Sequence, residues 1–405
     1  MNFYFQLTTF DSIIRAFSAA DYKAIPMNSR ELILPRLVLS RRIRKTPFEE
    51  RVFEQRASAF TTYNHMPLGS YYISAEEDYR HLCEHVQVWD VSCERQVEVV
   101  GPDAMELVEL ITPRDMSKCR IGQCKYAPLV DQHGGVVNDP IILRLAENRF
   151  WVSIADSGVL HWIRGIAYGK GMDVSVFEPD VSPLAVQGPK SDDLMADILD
   201  DGIRDLRFFW FTKAEIAGTE VVVARSGWSG QGGFEIYLQD GAKGLDLWDV
   251  IWEAGRKYNI RAGCPNLIDR IERGFLSYGS DMTLENNPYE CGLDRFLEPG
   301  KEAEFMSAAA LTEILENGVR KNLVHLSVSG SPLASPRSVW DVVDENTRKV
   351  GILTSLAYSP KYKSNLAFAT IDASANQAGR ALRVHVNGEE FREAWVADRN
   401  WKVQH

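Results

Sequence analysis

One glycine-rich segment is central to predicting the fold and the functional site. Its sequence is Arg225-Ser226-Gly227-Trp228-Ser229-Gly230-Gln231-Gly232-Gly233-Phe234-Glu235-Ile236-Tyr237. Its glycines let the backbone pass close to a partner. The alternation that follows predicts a strand on which Glu235 and Tyr237 share one face, while Phe234 and Ile236 fill the other. The segment therefore predicts a carboxylate beside a phenol, next to a glycine loop.

Two simpler interpretations of this segment have to be weighed. A dinucleotide-binding fingerprint is excluded, because that motif opens a helix and this one opens a strand. A glycine-rich hairpin with a solvated glutamate is also typical of the local pattern. The choice between a hairpin and a binding loop depends on the rest of the chain.

Composition narrows the class of protein. The chain has 405 residues, of which 45% are hydrophobic and 25% charged, which is typical of a globular protein of two or three domains. The formal net charge of -11 argues against nucleic acid as the main partner. No run approaches the roughly 18 apolar residues of a membrane span.

The cysteines and the N-terminal sequence predict a reduced, cytoplasmic protein. The six cysteines have no paired metal or redox spacing, and the start of the chain lacks a secretory signal pattern. His81 and His85 stand four apart in a predicted helix, but no third ligand lies nearby and no HExxH pattern is present. We therefore expect no metal site.

An internal repeat organises the middle of the chain. Val99-Val100-Gly101-Pro102-Asp103 aligns with Val186-Gln187-Gly188-Pro189-Lys190, and each lies between a predicted strand and a predicted helix. The order strand, helix, strand, strand, helix, strand then occurs twice, with Gly134-Gly135 expected to correspond to Gly232-Gly233. The pattern predicts an α+β protein with two split-βαβ, ferredoxin-like sheets packed on each other.

Short alternating runs replace the helices after about Arg320. The runs are separated by turn residues, which is the signature of a C-terminal antiparallel β-barrel or sandwich. They are Leu323 to Val328, Val339 to Val343, Val350 to Leu353, Asn365 to Ile371 and Ala381 to Val386.

The order of motifs resembles a known family, the folate-dependent aminomethyltransferases of the glycine cleavage system. The resemblance covers roughly Phe48 to Val396. Besides the glycine-rich segment, it rests on Asp90-Val91-Ser92, Gln132-His133-Gly134-Gly135-Val136-Val137-Asn138-Asp139, Leu184-Ala185-Val186-Gln187-Gly188-Pro189, Arg270-Ile271-Glu272-Arg273-Gly274 and Thr354-Ser355-Leu356-Ala357-Tyr358-Ser359-Pro360.

Within that family the chain is similar to the branch that demethylates dimethylsulfoniopropionate. The resemblance implies a tetrahydrofolate cofactor, methyl transfer to its N5 and release of methylthiopropionate. The stretches that carry it are Tyr63-Asn64-His65-Met66, His85 to Gln96, Phe177 to Leu184 and Arg261-Ala262-Gly263-Cys264-Pro265-Asn266.

The resemblance also implies a cloverleaf of three domains around a central folate site. The expected division is a loosely ordered extension at 1–35, a first folate-binding domain at 36–93 and 180–268, a second at 94–179 and 269–318, and a C-terminal barrel at 319–405. A homodimer is possible, and neither nucleic acid nor membrane is expected as a partner.

One departure from the family pattern bears on the chemistry. The family's catalytic acid occupies the first position of an Asp-Asp pair, whereas this chain has Asn138 before Asp139. Displacement of a methyl group from a sulfonium releases a neutral thioether that needs no proton from an acid. The change favours the demethylase, although an Asn tolerated at a turn is an open alternative. Both residues are predicted to be catalytic.

The remaining site residues follow from the resemblance. Glu235 is expected to accept a two-pronged pair of hydrogen bonds from the pterin amino group and ring N–H. Tyr126, Trp228 and Arg270 are the other cofactor candidates. Trp228 has a core or surface role as its alternative, and Arg270 an ion pair with Asp139 or Glu272.

The substrate needs aromatic faces for its cation and a partner for its carboxylate. Tyr237, Tyr63 and Trp89 are candidates for the sulfonium cage, with core packing as the alternative for Trp89. Tyr237 is also predicted to act in catalysis. Ser153 is expected to donate a hydrogen bond to the carboxylate, with Arg270 supplying charge.

Three other functions stay open at this stage. One is folate-dependent demethylation of a methylated amine or an aromatic methyl ether, and another is the aminomethyl transfer of glycine cleavage. The third is folate binding without turnover, since one fold hosts several chemistries.

Overall fold

The structure, a computed structural model, describes residues 40–403. The extension predicted at residues 1–35 lies outside this range. The elements given below all belong to the compact unit Ile43–His405.

The helices in the described residues are short. They are α1 Glu49–Glu54, α2 Ala75–Glu84, α3 Ala104–Leu110, α4 Val159–Lys170, α5 Ser191–Ile198, α6 Gly244–Gly255, α7 Leu267–Arg273 and α8 Ala308–Asn317. None of the helices in this part of the chain has the length and apolar character that crossing a bilayer requires.

Strands make up most of the remaining regular structure. They are β1 Ala59–Tyr63, β2 Met66–Tyr71, β3 Gln87–Asp90, β4 Gln96–Val100, β5 Cys124–Tyr126, β6 Leu129–Val130, β7 Val136–Asn138, β8 Ile141–Ala146, β9 Arg149–Ser153, β10 Ser175–Phe177, β11 Ser182–Gln187, β12 Phe211–Ile216, β13 Thr219–Ala224, β14 Gly233–Leu238, β15 Arg261–Gly263, β16 Lys321–Val328, β17 Trp340–Val343, β18 Lys349–Ser359, β19 Ser364–Asp372, β20 Ala381–Val386 and β21 Glu390–Ala397.

The first copy of the repeat forms a five-stranded antiparallel sheet in the order β10-β4-β9-β8-β5. Helices α3 and α4 cover one face, where Leu107 and Ile163 pack with Val99, Phe150 and Val152. The connection is the expected β-α-β-β-α-β unit.

One detail of the predicted repeat is wrong. Gly134 and Gly135 lie in the turn between β6 and β7, which form a separate two-stranded sheet. They therefore do not correspond to Gly232-Gly233, which lie where β14 begins and whose topological counterpart is the turn between β8 and β9.

The second copy forms a six-stranded sheet in the order β12-β13-β14-β11-β3-β15. Strand β3, from before the first copy, is inserted beside β11, and β15 pairs with it in parallel. Helices α5 and α6 cover the outer face, where Leu194, Trp248 and Ile251 pack with Phe234 and Ile236.

The other faces of the two sheets pack against each other. A shared cluster joins Cys124, Leu143 and Trp151 of the five-stranded sheet with Val222 and Tyr237 of the six-stranded sheet. The sheets also meet at one edge, where the Cys124 N–H donates to the Phe209 carbonyl at 2.7 Å. Side chains that point inward from both sheets therefore face a common interior.

The C-terminal strands form a closed barrel in the order β16-β19-β18-β17-β20-β21. Each of the predicted alternating runs lies on or overlaps a barrel strand, and β21 adds a sixth strand that is not among those runs. The predicted α+β fold class with a C-terminal barrel is confirmed.

Lys301 forms a buried ion pair in the described part of the chain. Its side chain is 1% exposed, forms an ion pair with Glu109 of α3, and donates to the Thr112 carbonyl at 2.9 Å. We expect Lys301→Met to lower the free energy of unfolding by about 3–5 kcal/mol, because Glu109 would stay buried without a countercharge. Chemical denaturation measures the effect.

The matched control is Lys349→Met on the barrel. The Lys349 side chain is 56% exposed and its ion pair with Asp341 is solvated, so we expect a change of at most about 1 kcal/mol. Equal losses in the two variants would contradict the role assigned to Lys301.

Candidate functional site

The glycine loop before β14 is held by side chains from two neighbouring elements. Asp269 of α7 accepts hydrogen bonds from the Gly230 N–H and from Gln231 Nε2, both at 2.7 Å. Gln187 at the end of β11 donates to the Ser226 carbonyl at 3.1 Å. At Gly227, φ is +148° and a Cβ atom would lie 2.1 Å from Gln187 Nε2, so only glycine fits.

Glu235 and Tyr237 lie side by side on β14, as the alternation predicts. The Tyr237 hydroxyl donates to Glu235 Oε2 at 3.1 Å, and the Ser226 hydroxyl donates to the same oxygen. Glu235 is only 7% exposed, and this burial raises the pKa of its carboxyl, partly offset by the two hydrogen bonds. Both bonds use Oε2, which leaves Oε1 without a partner among the described residues.

Asp139 and Tyr126 face this region from the first copy of the repeat. The Tyr126 hydroxyl donates to Asp139 Oδ2 at 3.0 Å, and its ring contacts Phe296 at a centroid distance of 4.6 Å. Burial raises the pKa of Asp139 to about 7, although the hydrogen bond from Tyr126 opposes the shift. Asp139 is therefore a group that exchanges a proton near neutral pH.

Glu94 is a third carboxyl group in the same region, and it is not among the site residues predicted from the sequence. It lies in the turn between β3 and β4. Burial raises its pKa well above the usual range, and the negative charges of Glu235 and Asp139 raise it further. No local pattern marks it, because its proximity to Glu235 and Asp139 depends on the packing of the two sheets that this turn joins.

Tyr63 and Ser153 border the interior from β1 and β9. Burial and the nearby Glu94 carboxylate raise the pKa of the Tyr63 phenol. Asn64 Nδ2 donates to the Cys93 carbonyl at 2.8 Å, which fixes Tyr63 beside the β3–β4 turn. The Ser153 hydroxyl accepts a hydrogen bond from Gln96 Nε2 at 2.9 Å.

Asn138 is placed differently from Asp139. It is 0% exposed, and its amide donates to Ser157 Oγ at 2.8 Å and to the Ala155 carbonyl at 3.3 Å. Its Oδ1 accepts from the Ala155 N–H at 3.1 Å. With these bonds made, Asn138 holds the segment at residues 155–157 and does not reach the interior that Asp139 faces.

Trp89 has the packing of a core residue. It is 1% exposed and contacts Leu82, Val91 and Ala185, and its indole N–H donates to Gln87 Oε1 at 2.9 Å. The structure thus favours the core alternative over a place in the sulfonium cage.

Arg270 and Trp228 are in contact with each other near the barrel. The Arg270 guanidinium lies 5.7 Å from the Trp228 ring centroid. It pairs with Asp281 at 2.7 Å and donates to Ser355 Oγ at 2.6 Å. The alternative of an ion pair with Asp139 or Glu272 is wrong, because the loop after α7 brings Asp281 to the guanidinium instead.

No cluster of three or more His, Cys, Asp or Glu side chains suited to a metal ion occurs in residues 40–403. The His81 Nε2 atom is hydrogen-bonded to the Asn259 carbonyl at 2.8 Å. What the interior offers is a set of carboxyl groups with raised pKa values and tyrosine rings around them. Such a set suits a ligand that brings hydrogen-bond donors or positive charge.

A pterin ring fits the free acceptor oxygen of Glu235. Its amino group and adjacent ring N–H need an acceptor, and Glu235 Oε1 has no partner among the described residues while Oε2 is fixed by two hydroxyls. A carboxylate held in this way is preorganised for charge-assisted hydrogen bonds.

Comparisons with known proteins agree with this arrangement. Residues 48–301 match the GCVT N-terminal domain, and residues 321–400 match the glycine cleavage T-protein C-terminal barrel domain. A dimethylsulfoniopropionate demethylase from Ruegeria pomeroyi is 44% identical over 90% of this chain and 98% of its own. An aminomethyltransferase from Koribacter versatilis is 29% identical over 78% of this chain and 84% of its own.

A solved structure has the same fold. The aminomethyltransferase T of the glycine cleavage system from Bartonella henselae superposes with a TM-score of 0.79 at 22% identity, covering 89% of this chain and 98% of that one. At this identity the match speaks for the fold alone.

The pKa of Asp139 makes a prediction about stability. A folded-state pKa of about 7, against an ordinary value of 3.8, means that the folded protein holds this proton more tightly. The stabilising contribution is complete below about pH 4 and is lost as the pH rises through about 7. We expect Asp139→Asn, which keeps an acceptor for Tyr126, to be more stable than the wild type at about pH 8, by on the order of 2–4 kcal/mol.

Denaturation of both proteins across the pH range measures this difference, which is expected to shrink toward about pH 4. Asp201→Asn is the control, because the Asp201 side chain is 91% exposed. A difference between Asp139→Asn and wild type that does not change with pH would contradict the raised pKa.

Proposed function

The chain belongs to the glycine cleavage T-protein family, and from that premise we propose that it is a tetrahydrofolate-dependent demethylase of dimethylsulfoniopropionate. Its products are methylthiopropionate and 5-methyltetrahydrofolate. The observation that carries the proposal is the likeness, over nearly the whole length of both chains, to the demethylase from Ruegeria pomeroyi. The lower identity to the aminomethyltransferase from Koribacter versatilis disfavours glycine cleavage.

The folate site in this proposal is built on Glu235. Tetrahydrofolate supplies the nucleophilic N5 that accepts the methyl group. Glu235 Oε1 accepts hydrogen bonds from the pterin, while Ser226 and Tyr237 hold Oε2 in place. We assign Tyr126 and the half-buried Trp228 as further folate contacts, and Arg270 holds the Trp228 ring through a cation–π contact.

The methyl donor is bound by tyrosine faces and a hydroxyl. Tyr63, which is partly exposed, presents its ring to the sulfonium. Tyr237 is 1% exposed like Trp89, and we keep it as the second ring because its hydroxyl contacts Glu235 of the folate site. Such contacts reach about 2 kcal/mol in desolvated sites. Ser153 donates to the substrate carboxylate. The main task of these residues is alignment, because the transfer is a direct displacement that needs donor and acceptor nearly collinear at about 3–3.5 Å.

Proton balance gives Asp139 a role in this reaction. The C–S bond breaks with its electron pair on sulfur, so the thioether leaves neutral and takes no proton. The amine that gains the methyl group must lose its own proton instead. Asp139, with a pKa of about 7, is the carboxylate we assign as its acceptor, and Asn138 positions the neighbouring segment.

The domain division follows the two sheets and the barrel. We propose 36–93 with 180–268 as the first folate-binding domain, 94–179 with 269–318 as the second, and 319–405 as the barrel domain. A cytoplasmic location and a homodimer remain predictions from the sequence.

A product assay tests the proposed function directly. Purified protein with tetrahydrofolate and dimethylsulfoniopropionate is expected to form methylthiopropionate and 5-methyltetrahydrofolate in equal amounts. A chelator in the assay is expected to leave the rate unchanged. Folded, folate-loaded protein that forms neither product would rule the proposal out.

Replacement of the pterin acceptor gives a second test. Glu235→Gln is expected to weaken tetrahydrofolate binding by about 10- to 100-fold. The reason is that the glutamine NH2 group would face the pterin amino group or ring N–H, which are also donors. The control is Glu220→Gln on the adjacent strand, whose side chain is 61% exposed. Titration calorimetry compares the two, and equal affinities would refute the assignment of Glu235.

A further inference from the structure

The backbone of Glu94 is held by a bond within the β3–β4 turn and by a side chain of β4. Its N–H donates to the Val91 carbonyl at 2.9 Å. Its carbonyl accepts from Gln96 Nε2 at 2.9 Å, and the same amide donates to Ser153 Oγ. The position of the side chain is therefore set by the junction of β3 and β4, and this junction borders the site assigned to the methyl donor.

The carboxylate of Glu94 differs from the other two in having no hydrogen-bonded partner. Glu235 accepts a hydrogen bond from Tyr237, and Asp139 accepts one from Tyr126. Within residues 40–403, no hydrogen bond or ion pair to the Glu94 side chain is present, and no cation is among the groups that shift its pKa. Glu94 is partly buried, and a carboxylate that loses water without gaining a partner is unfavourable unless it is protonated or meets a positive charge.

The groups that face Glu94 are acids and phenols. Glu235 and Tyr237 approach from β14, Asp139 from the end of β7 and Tyr63 from β1. A cation placed among them relieves the repulsion between the carboxylates. A sulfonium carries its charge without any N–H or O–H group, so it suits a carboxylate flanked by aromatic rings.

We propose that Glu94 is the specificity residue that makes this site prefer a cationic methyl donor over a neutral molecule of the same shape. The inference rests on the proposed function, because it concerns the donor side of that site. Glu94 attracts the positive charge of the bound sulfonium, and that charge leaves sulfur as the methyl group is transferred. We therefore expect replacement of Glu94 to raise KM much more than it lowers kcat.

The test compares two ligands that differ only in charge. Dimethylsulfoniopropionate and its carbon isostere 4-methylpentanoate are titrated calorimetrically into folded wild type and Glu94→Gln. We expect Glu94→Gln to weaken the sulfonium by about 10- to 100-fold and to leave the isostere and tetrahydrofolate unchanged. The wild-type affinity for the sulfonium is also expected to fall as the pH is lowered, because protonation neutralises Glu94, and the variant should lose most of this dependence.

Controls separate the effect of position from that of net charge and folding. Glu106→Gln changes an exposed glutamate on α3 and is expected to bind both ligands like wild type. Glu94→Met provides a second neutral side chain if the amide disturbs the turn. An unchanged ratio of the two affinities in Glu94→Gln and Glu94→Met, or a loss confined to folate, overturns the proposal.

The design also distinguishes the two proposals from each other. Calorimetry needs no turnover, so a wild type that selects the sulfonium through Glu94 but forms no methylated folate would support this inference and refute the demethylase. A wild type that forms both products while Glu94→Gln keeps its KM would support the demethylase and refute the role of Glu94.

Discussion

Carboxylates repel one another strongly where protein rather than water separates them, and this fold brings three of them to one interior region. Glu235 and Asp139 are stabilised there by hydroxyl donors, whereas Glu94 has none among the described residues. All three carboxyls have raised pKa values. Protonation stabilises these carboxyl groups when no ligand is bound. Hydrogen-bond donors or a positive charge stabilise their ionised forms when a ligand is bound. The ligand chemistry proposed for the site follows from this requirement.

The two sheets provide the rigidity that this arrangement needs. Alternation along β14 sends Phe234 and Ile236 outward to the helices and leaves Glu235 and Tyr237 on the facing surface, beside the apolar cluster that joins the two sheets. The glycine loop is fixed at its two ends by Asp269 and Gln187. The Arg270 and Asp281 pair then joins α7 to the loop that follows it and, through Ser355, to the barrel. Site residues from distant parts of the chain are thus held by elements that are hydrogen-bonded to one another.

The sequence predicted those features that depend on local periodicity. The placement of Glu235 beside Tyr237 follows from the period of two along β14, and the repeat with its barrel follows from the order of such patterns. Features that depend on contacts between distant segments could not be predicted from the sequence. Nothing local marks Glu94 as an interior acid or Asp281 as the partner of Arg270. Strand β21 was missed because charged residues on its exposed side obscure the alternation.

The distribution of acids around the interior bears on the type of reaction. Asn138 stands where the family resemblance places a catalytic acid, and its amide is fully engaged in holding residues 155–157. A neutral thioether takes no proton as it leaves, so a donor acid at position 138 has no task in demethylation. Glu94 supplies negative charge from another wall, where a cationic donor can use it. Loss of an acid at one position and the presence of an unpaired one at another are both consistent with a substrate that carries fixed positive charge and leaves without a proton.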